Sequence, residues 1–480
     1  MTHLDDSTRH AAVEARDHRF DGVFFTGVSS TGIYCRCVCP ARIPKRQNRH
    51  FFASAVAAER AGFRPCLLCR PEAAPGVAPI DRGDALAAAA LAEIETGALE
   101  EEGADALAQR LGVTSRHLRR VTLAAFGASP VELAQTHRLL TAKRLLKETG
   151  MSATAIAFAA GFRSLRRFNA LFLERYGMAP SRIRDRRTKK FNASGSSAGV
   201  RVRLSARGTW SPKPAFAFLA ARALAGMERV DGLVYVRTLA LKNATGFVRI
   251  EAAPRGLDLT VSDELAPHLR LLIARVRRAF DLDSDIDAID TVLASAGGAL
   301  ARDVAARPGV RLTGGLDPFE IVLRAVLGQQ VTQPAGRALA QKAVRAFGAV
   351  IDSPQEISGF AGLDRLAPTP AVIAGCSDED IAALGMPRAR AARLRRAAAA
   401  FALNETAAGL EGVAGIGPWT RAYVRLRAFA DPDAAPPGDA ALARVGFAET
   451  PADLAPWRGY AALRMWTAEQ TLTASKRDAP

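Results

Sequence analysis

At 480 residues the chain is long enough to build several hydrophobic cores, and we expect three or four domains. Its formal net charge of +17 favours a polyanionic partner, although a basic composition alone is weak support for one. No apolar run is long enough to span a bilayer, and the first residues lack the pattern of a secretory signal. Five of the six cysteines precede residue 70, which indicates a metal site in a reducing compartment. We therefore expect a cytoplasmic protein without a membrane partner.

The cysteines near the N-terminus form two closely spaced pairs. Cys35 and Cys39 are separated by three residues, and Cys66 and Cys69 by two. This spacing is typical of a tetrahedral zinc site with four cysteine ligands. Four thiolates on one zinc ion leave a formal charge of −2, so the sulfurs stay electron-rich and can be alkylated. A purely structural zinc site is the alternative, and Cys37, between the first two ligands, could compete for the metal.

Composition and periodicity divide the chain into five segments. Residues 1–80 carry the cysteine pairs on short elements, and residues 81–187 have aliphatic residues at helical spacing throughout. Residues 188–200 are polar and rich in glycine and serine, as in a linker. Alternating strands with an early helix are predicted over 201–267, and helices broken by glycine and proline over 268–480. The predicted fold class is multidomain and mainly α, with α+β parts.

The helical segment contains two helix-turn-helix patterns. In residues 104–127, Gly112 occupies the turn and Thr114 or Ser115 caps the second helix, and residues 153–184 repeat the arrangement around Gly161. A single pattern of this kind can be imitated by any helical hairpin, but two in tandem favour DNA binding. The second helices carry polar residues that could reach DNA: Arg116, Arg119 and Arg120 in the first, and Arg163, Arg166, Arg167 and Asn169 in the second.

The phrase GFRSLRRFNALFLERYGMAPSRIR resembles the C-terminal signature of AraC-type regulators. Together with the cysteine pairs, it makes the first 187 residues similar to the N-terminal half of Ada adaptive-response proteins. The resemblance implies one zinc ion held by Cys35, Cys39, Cys66 and Cys69, with Cys35 accepting a methyl group from a methylated DNA phosphate. Methylation would change the site's charge from −2 to −1 and so strengthen binding to operator DNA. RNA polymerase at promoters is the further partner that the resemblance implies.

The segment GVAGIGPWTRAY, residues 412–423, carries the strongest pattern of the second half. Gly415 and Gly417 form a G-x-G turn before a helix, which can direct amide groups toward a DNA phosphate without reading sequence. Trp419 and Tyr423 are four residues apart and share a helix face, where core packing is the alternative role. Asp439 follows proline and glycine directly before a helix, so helix capping is its simplest role.

Five motifs then give a close resemblance to AlkA-type 3-methyladenine DNA glycosylases of the helix-hairpin-helix superfamily. They are FLAARALAG at 218–226, AVLGQQVT at 325–332, and GIGPWTRAY, PPGDAAL and PWRGYAALRMW farther along the chain. The resemblance spans about 201–475 and implies an α+β subdomain followed by an all-α glycosylase core. It implies that Asp439 is the catalytic carboxylate, a role compatible with capping. It further implies a base pocket of Trp419, Tyr423, Trp466 and Phe218, and DNA contacts at Gly415, Gly417, Thr420, Gln329 and Gln330.

The chemistry implied is excision of alkylated purines, which carry a positive charge and a weakened glycosidic bond. Aromatic rings attract a cationic base by stacking and cation–π interaction, by up to about 2 kcal/mol when desolvated. Trp419 stands where strand-cutting relatives have a lysine, so no Schiff base can form and a monofunctional enzyme is expected. Gln330 stands where an aliphatic residue can wedge into the DNA stack, and Thr467 replaces an expected tyrosine, which would widen the pocket.

The combined expectation is a monomeric DNA-repair protein that acts on damaged and operator double-stranded DNA. One chain would sense methylphosphotriesters, activate repair genes and excise alkylated bases. Two alternatives remain open: a transcriptional activator whose glycosylase-like half is inactive, and a glycosylase whose first half only anchors it on DNA. The alkyltransferase signature PCHR is missing from the sequence, so repair of alkylguanine by direct methyl transfer is not expected.

Overall fold

The computed structural model of the protein describes residues 4–69, 71, 74, 85–148, 151–183, 199–241, 243–352, 361–403, 405–447 and 451–477. The chain forms two compact units. The first comprises Met1–Gly208, Ala253–Ala274 and Leu282–Asp285, and the second comprises Thr209–Ala252, Arg275–Asp281 and Ile286–Pro480. The predicted boundary at residue 80 and most of the predicted linker lie outside the described residues. Among the described helices, none combines the length and the apolar character needed to cross a membrane.

The described strands are β1 Phe25–Val28, β2 Ile33–Arg36, β3 Arg49–Phe52, β4 Arg64–Pro65, β5 Val200–Ser205, β6 Glu228–Asp231, β7 Val234–Leu241, β8 Ala244–Ala253 and β9 Gly256–Val261. The α-helices of the first unit are α1 Asp6–Ala15, α2 Ala55–Arg60, α3 Ala85–Thr96, α4 Ala98–Arg110, α5 Ser115–Phe126, α6 Pro130–Glu148, α7 Ala153–Ala159, α8 Leu165–Tyr176 and α9 Pro180–Ile183.

A small sheet organises the cysteine-containing part of the first unit. Its strand order is β3-β1-β2-β4, with β1 antiparallel to both β2 and β3 and β4 parallel to β2. The parallel pairing sets Tyr34 opposite Pro65, and the amide of Cys66 donates to the Tyr34 carbonyl at 3.0 Å. This pairing brings Cys66, directly after β4, close to Cys35 on the neighbouring strand β2, although 31 positions separate the two cysteines in the sequence.

The helical part of the first unit forms the two predicted helix-turn-helix arrangements. Thr114 caps α5 by accepting from the amide of His117, and Ser164 caps α8 in the same way from Arg167. Gly112 and Gly161 precede these caps with φ of +70° and +87°, a backbone conformation that favours glycine. The long helix α6 lies between the two arrangements in the chain. A further pair of strands in this unit, β5 and β9, is antiparallel.

The strands of the second unit, β6, β7 and β8, pair in antiparallel fashion. Its main helices are α10 Lys213–Ala220, α11 Leu269–Ala279 (which begins in the first unit), α12 Ile286–Ser295, α13 Gly298–Ala306, α14 Pro318–Leu327, α15 Gln333–Phe347, α16 Pro370–Gly375, α17 Asp378–Ala382, α18 Arg388–Leu403, α19 Pro418–Phe429, α20 Ala440–Arg444 and α21 Arg458–Arg477. The sequence predicts a helix around Ala215–Ala225. The observed helix, α10, ends at Ala220, five residues before the predicted end.

Two apolar clusters hold these helices together. One is formed by α14, α15, α18 and α19, and includes the fully buried Val326, Leu394 and Val424. The other joins α12 and α13 to α21 around Ile289 and Tyr460. The turn between α18 and α19 and the start of α20 lie at the edges of these clusters. Packing in these two clusters therefore fixes the helices and turns that carry the candidate active-site residues.

Candidate metal centre and candidate active site

The four cysteines predicted as metal ligands lie together in the first unit. Their sulfur atoms all lie within 4.8 Å of one another. Tetrahedral zinc with Zn–S bonds of about 2.3 Å requires sulfurs about 3.8 Å apart, so the cluster is compatible with one zinc ion. Backbone amides of Arg36 and Leu68 donate to the sulfurs of Cys69 and Cys66 at 3.4 and 3.3 Å. Such bonds orient the ligands and delocalise charge from the sulfurs.

The remaining thiol of this segment is separate from the cluster. Cys37 is buried, and its sulfur donates to the carbonyl oxygen of Asp17 at 3.4 Å. Burial raises the pKa of the Cys37 thiol, which keeps it protonated and a poor metal ligand. Among the four clustered cysteines, Cys35 is partly exposed, whereas Cys66 and Cys69 are buried. An accessible sulfur is what a methyl acceptor requires.

A buried carboxylate connects the metal-binding part to the helix-turn-helix part of the first unit. Glu59, on α2, has a fully buried side chain that accepts from the hydroxyls of Tyr34 and Thr136, each at 3.0 Å. Arg175, on α8, completes the group as an ion pair. Tyr34 directly precedes Cys35. The strand β2, which carries Cys35, and the helix α8 of the second helix-turn-helix arrangement therefore share one buried polar centre.

Helix α6 makes a second contact between the helical part and the metal-binding part of the first unit. Lys143 is fully buried, and its ammonium group donates to the carbonyl oxygen of Cys66 at 2.9 Å. Neither Lys143 nor Glu59 was predicted as functional from the sequence, because each contacts residues far away in the chain. The arginines that were predicted to face DNA are all exposed: Arg116, Arg119 and Arg120 at α5, and Arg163, Arg166 and Arg167 at α8.

In the second unit, Asp439 is both a helix cap and the centre of a hydrogen-bond cluster. Its Oδ1 accepts from the amides of Ala441 and Leu442, each at 2.9 Å, which caps α20. The same oxygen accepts from the indole nitrogen of Trp466 at 2.9 Å, and Oδ2 accepts from that of Trp419 at 2.8 Å. Oδ1 thus receives three hydrogen bonds and Oδ2 one. The freer lone pairs are on Oδ2.

Aromatic rings surround this carboxylate. Trp419 and Tyr423, one turn apart on α19, stack with their ring centres 5.1 Å apart and an interplanar angle of 9°. The Tyr423 ring lies 6.2 Å from that of Trp466, tilted by 57°. Phe218, on α10, joins the group through Arg427, whose guanidinium carbon lies 4.2 Å from the Phe218 ring centre and 5.4 Å from that of Trp466. The four predicted pocket residues are therefore close together.

Two arginines in this pocket were missed by the sequence analysis. Arg427 lies one turn beyond Tyr423 on α19, and Arg222 lies one turn beyond Phe218. The guanidinium carbon of Arg222 is 3.9 Å from the Phe218 ring centre. The four-residue spacing from Tyr423 was a usable signal for Arg427, because it places both on one face of α19, whereas Arg222 lies just beyond the last residue of α10.

The glycine turn before α19 is linked to the loop after α14. Gly415 has a φ of +87°, and its carbonyl accepts from the Gln329 side chain at 3.3 Å. The same amide nitrogen of Gln329 donates to the Thr420 hydroxyl at 3.0 Å. Gln330 is exposed and has a φ of +59°, unusual for a residue other than glycine. The predicted DNA-contacting residues of the two loops therefore lie side by side.

Comparison with known proteins bears on both sites. Three family models match the chain: the metal-binding domain of Ada over residues 8–72, a helix-turn-helix domain over 107–186, and the AlkA N-terminal domain over 201–317. A probable bifunctional transcriptional activator/DNA repair enzyme AlkA of Mycobacterium tuberculosis is 34% identical over 97% of both chains. The chain belongs to this bifunctional Ada–AlkA family.

Each half also has its own relative. DNA-3-methyladenine glycosylase 2 of Escherichia coli is 33% identical over 52% of this chain and 92% of its own length. The bifunctional transcriptional activator/DNA repair enzyme Ada of Escherichia coli is 35% identical over 42% of this chain and 54% of its own length. These matches confirm the predicted fold class and the Ada-type zinc site at Cys35, Cys39, Cys66 and Cys69. In this Ada–AlkA chain, a glycosylase half follows a zinc-binding and helix-turn-helix half.

Proposed function

We propose that the second half is a monofunctional DNA glycosylase that hydrolyses the N-glycosidic bond of 3-methyladenine-type bases. The observation that carries this is the Asp439 carboxylate, held between the indole N–H groups of Trp419 and Trp466. The aromatic rings provide stacking surfaces for a base that has left the duplex. Asp439 then stabilises positive charge on the sugar while the bonding electron pair leaves with the base.

The reaction ends with addition of water to the sugar. The oxygen of water bonds to the anomeric carbon, and its proton leaves through Asp439 or solvent. Because Trp419 has no nucleophilic amine, the product is an abasic site rather than a cut strand. The exposed Gln330 is suited to fill the gap left by the flipped base. Gly415 and Gly417 are suited to hold the DNA backbone nearby, whereas Thr420 is buried and supports the turn through its bond from Gln329.

The first experiment measures base release from alkylated duplex DNA by wild type and Asp439→Asn. A carboxylate about 4 Å from a sugar cation contributes about 4 kcal/mol at an effective dielectric constant near 20. The expected loss is therefore about a thousandfold in rate. Asparagine caps helices as well as aspartate does, but its amide group would face one of the two indole N–H groups, so thermal unfolding of the variant is measured alongside the rate.

Asp317→Asn is the matched control. Asp317 caps α14 with two amide bonds, at 2.8 and 3.3 Å, as Asp439 caps α20. Its rate of release should stay within about twofold of wild type, because a neutral cap preserves these bonds. Absence of released base from wild type, or an unchanged rate in Asp439→Asn, would leave only a DNA-binding role for this half.

For the first half we propose that Cys35 accepts a methyl group from a methylphosphotriester. Bound zinc would keep the four thiols deprotonated. The Cys35 sulfur forms a bond to the methyl carbon as the carbon–oxygen bond breaks, and the phosphate leaves as an ordinary diester anion. A triester has no charge, so it is not repelled by the anionic site as a diester is. Cys35 and Cys39 are the two partly exposed ligands, and the resemblance to Ada proteins assigns the methyl acceptor to Cys35.

The transfer is tested by mass spectrometry after exposure to methylphosphotriester DNA. The peptide with Cys35 should gain the mass of one methylene group, while the peptides with Cys39, Cys66 and Cys69 should not. Cys37→Ser should still be methylated, because this thiol points to a backbone carbonyl. An unmodified Cys35 in wild type would reduce the first half to an anchor on DNA.

We further propose that methylation turns the chain into a transcriptional activator that contacts RNA polymerase at promoters. The change from −2 to −1 weakens repulsion of the DNA backbone, and the exposed arginines of α5 and α8 would then hold the operator. We expect a cytoplasmic monomer with domain boundaries near residues 80, 187, 200 and 267. Sedimentation with and without operator DNA tests the oligomeric state, and limited proteolysis tests the boundaries.

A further inference from the structure

Arg222 and Arg427 place positive charge at one side of the candidate base pocket. Both guanidinium groups lie about 4 Å from the Phe218 ring centre, at 3.9 and 4.2 Å. Arg427 is buried, and its guanidinium also lies 5.4 Å from the centre of the Trp466 ring. The positive charge of Arg222 is close enough to lower the pKa of Arg427. They form a cationic wall, by which we mean Arg222 and Arg427 together.

The hydrogen-bond partners of this wall are neutral. Arg427 donates to the carbonyl of Thr313 at 2.6 Å, Arg222 donates to that of Phe218 at 3.4 Å, and both contact the Tyr423 hydroxyl. Within the described part of the chain, no ion pair joins either guanidinium to a carboxylate. The buried Nε of Arg427 also has no hydrogen-bond partner there. Burial lowers the pKa of Arg222 and lowers that of Arg427 to about 10.

Two other buried arginines of the same unit are paired with acids. Arg237 is ion-paired with Glu320, and Arg464 with Asp290 and Asp303. A buried charge without a counter-charge is costly, since water no longer solvates it and aromatic faces compensate only partly. The wall is therefore suited to a ligand that supplies a hydrogen-bond acceptor or negative charge. A flipped base that rests against Phe218 and Trp466 would meet it.

Breaking the glycosidic bond moves an electron pair from sugar to base. A base that starts neutral acquires negative charge as it leaves, whereas an alkylated cationic base becomes neutral. The cationic wall stabilises the first leaving group in the transition state and repels the second in the ground state. The same two residues thus act in opposite ways on the two classes of lesion.

We propose that Arg222 and Arg427 are specificity-determining residues that raise the excision rate of neutral lesion bases and weaken ground-state binding of cationic ones. This inference rests on the proposed glycosylase function. It extends that function from the aromatic rings and Asp439 to a second, oppositely charged side of the pocket. The bases favoured are those with a carbonyl oxygen or ring nitrogen directed at the wall.

The test uses single-turnover kinetics on two duplexes, one with hypoxanthine as a neutral base and one with 7-methylguanine as a cationic base. Arg427→Gln and Arg222→Gln should each slow maximal release of hypoxanthine by tenfold or more. For 7-methylguanine, the half-saturating enzyme concentration and the maximal rate should fall by similar factors, because removing a repulsion that acts only on the bound ground state leaves their ratio unchanged. Arg427→Lys keeps the charge and should retain most of the wild-type ratio between the two rates.

Arg425→Gln is the control, because Arg425 lies on the same helix but is exposed and paired with Asp431. It should leave both substrates unchanged. Thermal unfolding of each variant identifies any that is misfolded. If Arg427→Gln is misfolded because it loses the bond to Thr313, Arg222→Gln still tests the wall, since it leaves that bond in place. Equal effects on both substrates, no effect on either, or wild-type release of only the cationic base would overturn the inference. Release of neither base by wild type would instead refute the proposed function.

Discussion

Replacing Glu59 with glutamine should destabilise the first unit and leave the second unit intact. The Glu59 side chain is fully buried and accepts from Tyr34, Thr136 and Arg175. A glutamine keeps the shape, but its amide group is a donor where three donors already converge. At least one of the buried hydroxyls or the guanidinium would then lack an acceptor.

The magnitude follows from these contacts. Removing one partner of a fully buried ion pair costs about 3–5 kcal/mol, but Arg175 is 26% exposed and can be partly rehydrated. We therefore assign about 2 kcal/mol to the lost charge pair. An unsatisfied buried hydroxyl, at Tyr34 or Thr136, adds about 1–2 kcal/mol. The expected loss is about 3 kcal/mol, or roughly 1.5 M in urea midpoint for a slope near 2 kcal/mol/M.

The positions of metal and tryptophan allow the two units to be followed separately in the full chain. All four tryptophans belong to the second unit, so their fluorescence reports its unfolding. Release of zinc to a colorimetric chelator reports unfolding of the first unit. Glu14→Gln is the control, because that carboxylate is 39% exposed and pairs with the exposed Arg46 as well as with the buried Arg49. If Glu59→Gln shifts the zinc-release midpoint no more than Glu14→Gln does, the buried contacts of Glu59 do not stabilise the first unit as predicted.

Three further predictions follow from the same structure. The four cysteine sulfurs lie within 4.8 Å of one another, and bound zinc would hold them together. A strong chelator should therefore unfold the metal-binding part and abolish operator binding, while base release by the second unit continues at an unchanged rate. Gln330→Gly should stabilise the second unit by about 1 kcal/mol in urea, since φ is +59° there, and should slow base release if the side chain fills the gap in DNA. Arg458 lowers the pKa of Asp433, so the stability from this pair is present above pH 3.8 and is lost as pH falls through the lower folded-state value. Acid unfolding followed by tryptophan fluorescence should therefore be less steep in Asp433→Asn.

Local patterns in the sequence were enough to predict the parts of each site that adjacent residues form. The two cysteine pairs predicted a site with four thiolate ligands, because ligand spacing within each pair is set by a few residues of backbone. Thr114, one of the two cap candidates, was recognisable for the same reason, since a cap bonds amides two or three residues away. The four-residue spacing of Trp419 and Tyr423 predicted a shared helix face, and the rings stack.

Contacts between distant residues were not predictable in this way. Glu59 and Arg175 are 116 positions apart, and an acidic residue on a short helix is more often a solvated side chain than a buried centre. Cys37 has the local surroundings of a ligand, and only the fold shows that its thiol points to Asp17. Arg222 lies beyond the end of α10, so helical periodicity did not relate it to Phe218, and only the fold shows their contact.

The charged groups of the candidate base pocket are opposite in sign to the charges that the proposed reaction creates on sugar and base. Asp439, at the indole nitrogens of Trp419 and Trp466, supplies negative charge for a sugar that becomes cationic. Arg222 and Arg427, around Phe218, supply positive charge for a base that accepts the electron pair. A lesion that is already cationic needs only the carboxylate, because its leaving group becomes neutral. A neutral lesion needs both charges, so the arginines should matter in proportion to the negative charge that the departing base acquires.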